Sequence, residues 1–471
     1  MKMYKRLLAL LLALTMLLLC ACGDDSSKND DRDDDQREDV SQSDTDDQDG
    51  NNDVEDKEEI SFDPKDVVTI TFAHTLSTRL QAVLNDYIVE FNKIYPNIHI
   101  QPSYYGGYQD TFDQIQSMIV MGQAPNVAIC YPEHVVAYNT ANATVALDDF
   151  IDHSEYGLTD AQKADFVTAF YNEGKAYGDG KMYTLPMSKS TEVLYYNKTF
   201  FNRYGLKVPT TWDEMWQVCA QIKAMEPSCI PLGYDDEANW FITMCKQMDT
   251  DYISAKDGGQ FLFDNAENRA WMKELRGYYQ QGLFTTQDLF GSYTSELLTG
   301  SYGYMSIGSS GGASYNQAPG NEFEVGVAPV PQMDPADPKA VSQGPNLCVL
   351  KNADTTDQEL MASWLFIQFL STNADFQMSY SMTSGYMPVI KSATRHASYS
   401  AWLSQADGYN GLVARTVQAS INNFSSYFVP PAFNGSSKAR EQVGDLMVKC
   451  LDGLSVDIDK AFKDAIKECE N

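Results

Sequence analysis

The stretch VVTITFAHTLSTRLQAVLNDYIVEFNKIYPNIHI, residues 67–100, decides the fold. Its first six residues are a β-rich run, and apolar side chains then recur at helical spacing from Leu80 to Tyr95. Pro96 ends the helical pattern, because proline restricts the residue before it to extended backbone, and Ile98 begins another β-rich run. The stretch therefore predicts a strand, a helix and a second strand in succession.

The same alternation recurs along the chain. A helical pattern at 111–121 precedes a strand at 126–130, and a strand at 193–197 precedes a helix at 200–204. A further strand is predicted at 324–330. Alternation of this kind predicts an α/β class with layered helices and sheets. No period of 20–50 residues is visible, which argues against a solenoid.

Length and charge limit the classes of protein that remain. A chain of 471 residues should hold more than one folding unit, and 43% hydrophobic residues are enough to build cores. The formal net charge is −31, and no basic stripe accompanies it. Nucleic-acid binding relies on Lys and Arg to neutralise phosphates, so this composition argues against it.

The first twenty-three residues have the pattern of an export signal. Lys2, Lys5 and Arg6 precede an apolar stretch at 7–19, which is too short for a comfortable membrane span. The sequence that follows resembles the bacterial lipoprotein signal, and the resemblance implies that Cys22 becomes the lipidated N-terminus. Residues 1–22 are therefore interpreted as a lipoprotein signal, the alternative being a secretory signal with a chance cysteine. We expect an exported, tethered protein without a later membrane span.

Residues 23–65 are predicted to be a disordered acidic linker. Between 24 and 59 the net charge is −14, and almost nothing there could be buried. Such a segment cannot offset the entropy of ordering, and its like charges extend it.

The cysteines and histidines indicate no metal or cofactor. Seven cysteines remain beyond Cys22, an odd number, so at least one is unpaired within the chain. Cys219 with Cys229, and Cys450 with Cys469, are closest in sequence. No C-x-x-C or H-E-x-x-H spacing occurs, so buried thiols are the default interpretation.

The segment Gly308-Ser309-Ser310-Gly311-Gly312 satisfies G-x-S-x-G, the nucleophile turn of serine hydrolases. His396 is the only histidine downstream that could act as the base, and its polar neighbours indicate an exposed loop. The alternative is a Gly/Ser loop whose backbone N–H groups and hydroxyls hold a ligand. Because short motifs match by chance, we favour the second interpretation and expect no enzyme.

Several blocks, taken in order, resemble the extracellular solute-binding proteins of ABC importers, family 1. The most specific is LPMSKSTEVLYYN at 185–197, followed by PTTWDE at 209–214. The other matching blocks lie at 108–126, 298–308, 326–331, 362–370 and 384–388 (SGYMP). Together they cover nearly everything from residue 67 to 471.

The resemblance implies a two-lobe periplasmic-binding-protein-like fold of type II, similar to maltose-binding protein, with a hinge and an interlobe cleft. Lobe one would comprise 66–187 and 304–352, and lobe two 188–303 and 353–471. The hinge would lie near 187–190, near 302–304 and near Asn352.

Within the family, the glycerol-3-phosphate-binding branch is the most similar. Its Y-x-G-x-Y element resembles residues 104–108, and its S-S-T-x-V-L-Y-Y-N resembles 189–197, with Lys189 in place of the first serine. Carried over one at a time, the implied ligand contacts are Tyr108, Ser190, Ser309 or Ser310, Gly344 and Tyr386, with a glutamate at Pro132 or Glu133. Trp240 falls near the branch's stacking tryptophan, although packing in a core is the alternative for this residue.

Sugar chemistry suits the same positions. Sugar rings have apolar faces that stack on Trp and Tyr, and their hydroxyls need converging polar groups. Asn239, beside Trp240, joins the predicted hydrogen-bonding set, whereas Trp364 is predicted to be core. The branch's phosphate-binding arginine has no counterpart in 429–434, and Arg440 follows on the next predicted helix. Because phosphate would then lose its bidentate partner, we favour a neutral sugar or oligosaccharide over a glycerophosphate.

The sequence thus predicts a monomeric, lipid-anchored, extracytoplasmic binding protein. It would capture a carbohydrate and deliver it to ABC permease subunits, without a cofactor, a metal or nucleic acid. Glycerol-3-phosphate or a glycerophosphodiester is the alternative ligand, and a secreted serine hydrolase is the remaining alternative.

Overall fold

The strand, helix and strand predicted at residues 67–100 are present as β1, α1 and β2 in the computed structural model. The structure describes residues 60–405, 408–453 and 455–470. Leu80, Leu84 and Phe91 recur on one face of α1 and are buried, and the helix ends two residues before Pro96. The local pattern therefore gives the local structure.

Fourteen strands are assigned within the described residues. They are β1 (Val68–His74), β2 (Ile98–Tyr104), β3 (Val127–Cys130), β4 (Thr184–Pro186), β5 (Glu192–Asn197), β6 (Leu232–Tyr234), β7 (Ile253–Ser254), β8 (Gln260–Phe261), β9 (Phe284–Thr286), β10 (Met305–Ser309), β11 (Val325–Pro329), β12 (Ala340–Val341), β13 (Asn346–Val349) and β14 (Tyr427–Phe428).

The α-helices of the described residues are α1 (Thr78–Ile94), α2 (Tyr108–Val120), α3 (Pro132–Thr140), α4 (Asp148–Ile151), α5 (Asp160–Asp165), α6 (Thr168–Glu173), α7 (Lys198–Tyr204), α8 (Trp212–Met225), α9 (Glu237–Gln247), α10 (Ala266–Gln280), α11 (Gln287–Phe290), α12 (Ser295–Thr299), α13 (Asp357–Thr372), α14 (Ala374–Ser384), α15 (Lys391–Arg395), α16 (Ala397–Leu403), α17 (Gly408–Ile421), α18 (Ser436–Asp452) and α19 (Ile458–Glu470). Short 3-10 helices lie at Lys256–Gly258, Ser310–Asn316, Pro319–Asn321 and Phe424–Ser426.

A five-stranded sheet of order β2–β1–β3–β13–β4 forms the first lobe. β1 is parallel to β2 and β3, whereas β13 is antiparallel to β3 and β4. β3 is buried along its whole length, which explains why its sequence, Val-Ala-Ile-Cys, contains no charged or strongly polar residue. Trp364 on α13 is fully buried in the core beside this sheet, as predicted.

A second five-stranded sheet, of order β11–β5–β10–β6–β9, forms the second lobe. β10 is parallel to β6, and β6 to β9, whereas β5 is antiparallel to β10 and β11. The helix of the PTTWDE block, α8, begins with a capping box. Thr211 Oγ1 accepts the N–H of Glu214 at 3.2 Å, and a carboxylate oxygen of Glu214 accepts the N–H of Thr211 at 3.3 Å. This block therefore has a structural role.

Within the described ranges, the chain crosses between the lobes at three places. The first crossing, residues 187–191, joins β4 to β5, and the second runs from β11 through β12 to β13. The third contains β14, which pairs in parallel with β12. Lys189 and Ser190 of the first crossing form isolated bridges with Met387 and Gln343, respectively.

These crossings correct the predicted lobe boundaries and hinge. Residues 305–329 were assigned to lobe one, but β10 and β11 belong to the second sheet because they pair with β5. Residues 353–405 were assigned to lobe two, but the buried residues of α13 to α16 belong to the first core. Of the three predicted hinge positions, 187–190 lies on a crossing. Residues 302–304 lie between α12 and β10, and Asn352 bonds Ala124 within the first lobe.

The end of the predicted linker is also corrected. Ile60 and Phe62 pack against the first core, and the Phe62 ring meets Tyr156 edge-to-face at 5.3 Å. Gln358 and Asp63 exchange two hydrogen bonds at 2.7 and 3.0 Å. Residues 60–63 are therefore part of the first lobe, because the two apolar side chains are buried against its core. The signal, Cys22 and the rest of the linker lie outside the described residues.

The seven cysteines of the described residues are all buried free thiols, including Cys219, Cys229, Cys450 and Cys469. Burial raises the pKa of the Cys219 thiol, which makes its reactive thiolate form scarce. Within the described residues, the longest helices are too short or too polar to cross a membrane.

Candidate functional site

The candidate site is a cleft between the two lobes with a volume of about 1000 Å³. Its walls are built at the carboxyl ends of parallel strands, where open α/β sheets present their loops. Tyr131 follows β3 in the first lobe. In the second lobe Asp235 follows β6, and Gln287 follows β9. The volume is at the upper end of the range of roughly 300–1000 Å³ found for small-molecule sites.

Six of the nine predicted ligand residues line this cleft: Tyr108, Glu133, Ser190, Asn239, Ser309 and Tyr386. They come from both lobes and from the first crossing, so the fold brings together positions separated by up to 278 residues in sequence. Of the two positions predicted for a glutamate contact, Glu133 is the one that lines the cleft, whereas Pro132 is buried.

Two tyrosines form an aromatic wall on the first lobe. Tyr108, the first residue of α2, stacks on Tyr131 with ring centroids 4.2 Å apart and planes 18° apart. Burial raises the pKa of both hydroxyls, so they stay protonated and can donate hydrogen bonds. This wall offers ring faces and two hydroxyls to a ligand.

A third tyrosine, Tyr386, packs against the G-x-S-x-G segment. A side chain at Gly311 would lie 2.2 Å from the Tyr386 ring, so only glycine lets this ring pack on the loop. A side chain at Gly385 would lie 2.4 Å from the carbonyl oxygen of Ser310. The two glycines thus allow the loops of Tyr386 and Ser309 to approach closely.

Ser310 and His396 do not form a hydrolase site. Ser310 is fully buried, and its backbone N–H and side-chain oxygen bond the backbone of Thr191 at 2.8 and 3.3 Å. The exposed His396 lies outside the cleft, and its Nδ1 is 2.7 Å from Ser398 Oγ. The prediction that Ser310 contacts ligand is wrong, because its hydroxyl faces the crossing strand; Ser309 lines the cleft instead.

Trp240 is the clearest correction. Its ring is fully buried in the second core and stacks on Tyr234, with centroids 4.3 Å apart and planes 3° apart. The centroid of the Trp212 ring lies 5.7 Å from that of Trp240. The prediction that Trp240 stacks on ligand is therefore wrong, since neither face is open. Its neighbour Asn239, one residue earlier on α9, does line the cleft.

Gly344 also lies outside the cleft. Its φ is +107°, and a side chain there would lie 2.7 Å from the carbonyl oxygen of Ser188 and 2.9 Å from the Cα of Lys189. Gly344 thus allows two crossing segments to pack together. Its neighbour Gln343 lines the cleft and exchanges backbone hydrogen bonds with Ser190 at 2.8 and 2.9 Å.

Among the described residues that line the cleft, Arg440 on α18 is the only arginine of the second lobe. Its guanidinium donates to Asp236 at 2.7 Å and to the side-chain oxygen of Asn239 at 2.5 Å. Although burial lowers the pKa of Arg440, the charges of Asp236 and Glu133 raise it above its usual value. The sequence argument that no arginine is available for a phosphate is therefore wrong.

Carboxyl groups nonetheless dominate the cleft. Among the residues that the structure describes, eight carboxyl groups line it against two arginines, Arg79 and Arg440; the eight are Asp235–Glu237, Glu133, Glu192, Asp288, Glu441 and Asp445. Burial raises the pKa of Glu192 well above its usual value and that of Asp235 to about 6. The tyrosine hydroxyls, carboxyl groups and amides together form a site rich in hydrogen-bonding groups for a polar ligand.

The ligand residues predicted from the sequence did not include Tyr131, Glu192 or Arg440. Tyr131 directly follows a predicted strand, and Glu192 is a charged residue directly before the predicted strand at 193–197, so both carried a usable signal. Arg440 carried none, because nothing local indicates that α18 reaches the cleft.

Two α/β lobes joined by crossing strands, with a polar and aromatic cleft between them, define the class of two-domain solute-binding proteins. The chain belongs to the bacterial extracellular solute-binding protein family, whose profile matches residues 86–405. This confirms the resemblance to the solute-binding proteins of ABC importers, which are binding proteins that act outside the cytoplasm.

The relatives and structural neighbours agree with this assignment. The sn-glycerol-3-phosphate-binding periplasmic protein UgpB of Escherichia coli K12 is 23% identical over 345 residues, which cover 69% of this chain and 75% of that protein. UgpB from Mycobacterium tuberculosis, in complex with glycerophosphocholine, has a TM-score of 0.71 at 18% identity, covering 86% and 98% of the two chains. The GacH receptor of Streptomyces glaucescens, solved with acarbose, has a TM-score of 0.69 at 17% identity, with the same coverage. These neighbours confirm the two-lobe, maltose-binding-protein-like fold.

Proposed function

We propose that this chain captures a sugar or oligosaccharide in the interlobe cleft and delivers it to the permease subunits of an ABC importer. The observation that carries the proposal is the lining of the cleft, which combines the rings of Tyr108, Tyr131 and Tyr386 with the carboxyl groups named above. Aromatic faces suit the apolar faces of sugar rings, and carboxylates and amides accept hydrogen bonds from sugar hydroxyls.

A glycerophosphate is the second candidate ligand. Arg440 lines the cleft, and the matched relative from Escherichia coli is named for binding sn-glycerol-3-phosphate. The arginine is already engaged by Asp236 and Asn239, however. An incoming phosphate would have to displace Asp236, and the other carboxylates that line the cleft would repel it. The charge balance therefore favours the neutral sugar.

The deciding experiment is a thermal-shift screen followed by calorimetry. It compares mono- and oligosaccharides with glycerol-3-phosphate and glycerophosphocholine. We expect sugars to raise Tm, and Tyr108→Ala to weaken their binding by about ten-fold or more, the effect of removing a central aromatic contact. Tyr302→Ala, which removes an exposed tyrosine outside the cleft, is the matched control. Stabilisation by the phosphate compounds alone would overturn the sugar assignment.

We further propose that the protein has no catalytic role of its own. Ser310 is held by Thr191, and His396 lies outside the cleft. Purified protein should show no ester hydrolysis above that of Ser310→Ala. Turnover that this substitution abolishes would contradict the proposal.

We also propose that a lipid on Cys22 attaches the protein, as a monomer, to the membrane. The support for the lipid is the pattern of residues 1–23. The acidic segment that follows would act as a spacer, because its like charges extend it. Cells expressing the chain with labelled palmitate should yield a labelled, membrane-associated protein. Cys22→Ala should lose the label and appear in the soluble extracytoplasmic fraction. A labelled Cys22→Ala protein would place the lipid elsewhere.

A further inference from the structure

Two tyrosines at the rim of the cleft, Tyr293 and Tyr315, are not among the proposed ligand residues. Tyr293 and Tyr315 are 55% and 63% exposed, yet both line the cleft. Their rings are 6.0 Å apart with planes at 9°, so they present nearly parallel faces. Single exposed apolar residues are common on protein surfaces, but a stacked exposed pair at the edge of a binding cleft indicates a contact surface.

Both tyrosines are held by ordered backbone. Tyr293 directly precedes Thr294, whose N–H donates to Asp235 Oδ1 at 2.7 Å. Tyr315 belongs to the 3-10 helix Ser310–Asn316, and its ring lies 3.7 Å from the position that a side chain on Gly312 would occupy. Ordered aromatic rings lose little conformational entropy when a ligand stacks on them, which suits a preformed contact.

The pair continues the aromatic lining of the cleft outward. Tyr131 stacks on Tyr108, and the Tyr386 ring packs closely against Gly311. The Tyr315 ring lies beside the next residue, Gly312, so Tyr386 and Tyr315 flank the same glycine pair. The tyrosines therefore run from the first-lobe wall, through Tyr386, to the rim of the second lobe.

Polar groups accompany the rim pair. Ser295 and Ser314 lie close to the two tyrosines in sequence, and both line the cleft. Hydroxyls beside an aromatic face supply the hydrogen bonds that a sugar unit needs in addition to stacking. The two serines thus line the same cleft as the two rings.

We infer that Tyr293 and Tyr315 form an outer subsite that binds an additional unit of an oligosaccharide extending out of the cleft. The inference rests on the proposed sugar-binding function and deepens it, because it makes the ligand an oligosaccharide longer than the inner cleft alone would hold. A monosaccharide or disaccharide in the inner cleft would leave the outer subsite empty.

The test measures affinity against chain length. Wild-type protein is titrated calorimetrically with malto- and cello-oligosaccharides of two to six units. We expect affinity to rise with chain length. Tyr315→Ala and Tyr293→Ala should each lower the affinity for long chains roughly three- to ten-fold, the range for one aromatic stack. Binding of the shortest sugar should not change. Tyr315→Phe, which keeps the ring, should behave as wild type, and Tyr302→Ala is the control for an exposed tyrosine.

Each other outcome counts against the inference in a distinct way. Equal losses at every length would make the rim tyrosines structural, and affinity independent of length would remove the outer subsite while leaving sugar binding intact. Variants that bind every length normally but transport poorly would assign the pair to permease contact. If no sugar of any length bound, the proposed function itself would fall, together with the inference.

Discussion

His134 shows how one buried side chain supports the cleft. It lies on α3, its ring stacks on Phe112 at 4.5 Å, and its Nδ1 accepts the N–H of Tyr131 at 3.3 Å. Burial, together with the positive charge of Arg440, lowers the pKa of His134 to about 3, while Asp113 opposes the shift. The neutral imidazole therefore fixes the backbone of a residue that lines the cleft.

This pKa has a consequence for stability. The unfolded chain binds a proton on His134 near pH 6.5, whereas the folded chain does so only near pH 3. Stability from this residue is therefore complete above pH 6.5 and is lost as pH falls, at about 1.4 kcal/mol per pH unit. Between pH 6.5 and 4.5, we expect the free energy of unfolding to fall by about 2–3 kcal/mol less in His134→Gln than in the wild type. The Gln amide oxygen can still accept from Tyr131.

Urea denaturation at several pH values measures this difference. His99→Gln, on an exposed imidazole of β2, is the control and should follow the wild-type curve. Parallel curves for wild type and His134→Gln would show that the imidazole is already charged in the folded protein.

At the level of loops and strands, the Gly308–Gly312 loop determines where Tyr386 lies. An alanine at Gly311 would place a methyl group 2.2 Å from the Tyr386 ring, whereas at Gly312 the nearest atom is 3.7 Å away. We expect Gly311→Ala to displace the ring and weaken sugar binding by about ten-fold or more, and Gly312→Ala to change it little. Calorimetry with the sugar found by screening measures both. Similar affinities for the two variants would show that Tyr386 does not contact ligand.

The first crossing contains a buried ion pair. Lys189 Nζ lies 2.7 Å from Glu173 Oε2, and both side chains are almost fully buried. Asn346 completes the network, because its side-chain oxygen accepts from Lys189 and its amide donates to Glu173, both at 3.0 Å. The network joins the crossing to α6 and β13, next to Ser190 in the cleft.

Removal of one partner should cost more than removal of both charges. Lys189→Met leaves Glu173 buried without its counter-charge, and we expect a loss of about 3–5 kcal/mol in the free energy of unfolding. Lys189→Met with Glu173→Gln should regain most of it, since Gln still accepts from Asn346. Urea denaturation of wild type, both single variants and the double variant gives the coupling energy. A double variant less stable than Lys189→Met would contradict this account.

At the scale of the whole molecule, the cleft-lining side chains come from two lobes, which three crossings connect in the part of the chain that the structure describes. A ligand that contacts both lobes favours the closed arrangement, because only there does it make all its contacts. We expect saturating sugar to lower the radius of gyration in small-angle scattering. It should also stabilise the fold by about 2.7 kcal/mol at 100 times Kd. A radius of gyration unchanged by bound ligand would mean that the cleft is already closed.

The elements of the fold were largely predictable, because each depends on near neighbours in the chain. The helix after β1 follows from apolar residues at helical spacing and from Pro96, and α8 follows from the cap that Thr211 and Glu214 form. The family resemblance added the two-lobe architecture and six residues of the cleft. Local patterns and ordered blocks are properties of the amino-acid sequence itself, so the sequence alone was enough to recognise them.

Which sheet a strand joins, and which side chain reaches the cleft, depended on distant partners. β10 and β11 belong to the second lobe because they pair with β5, more than 100 residues earlier. The Trp240 ring is enclosed by Tyr234 and Trp212. Arg440 lies in the cleft because it pairs with Asp236, which precedes the first residue of α9. Burial and long-range charge pairing depend on the packing of whole elements, and the tertiary structure alone determines that packing.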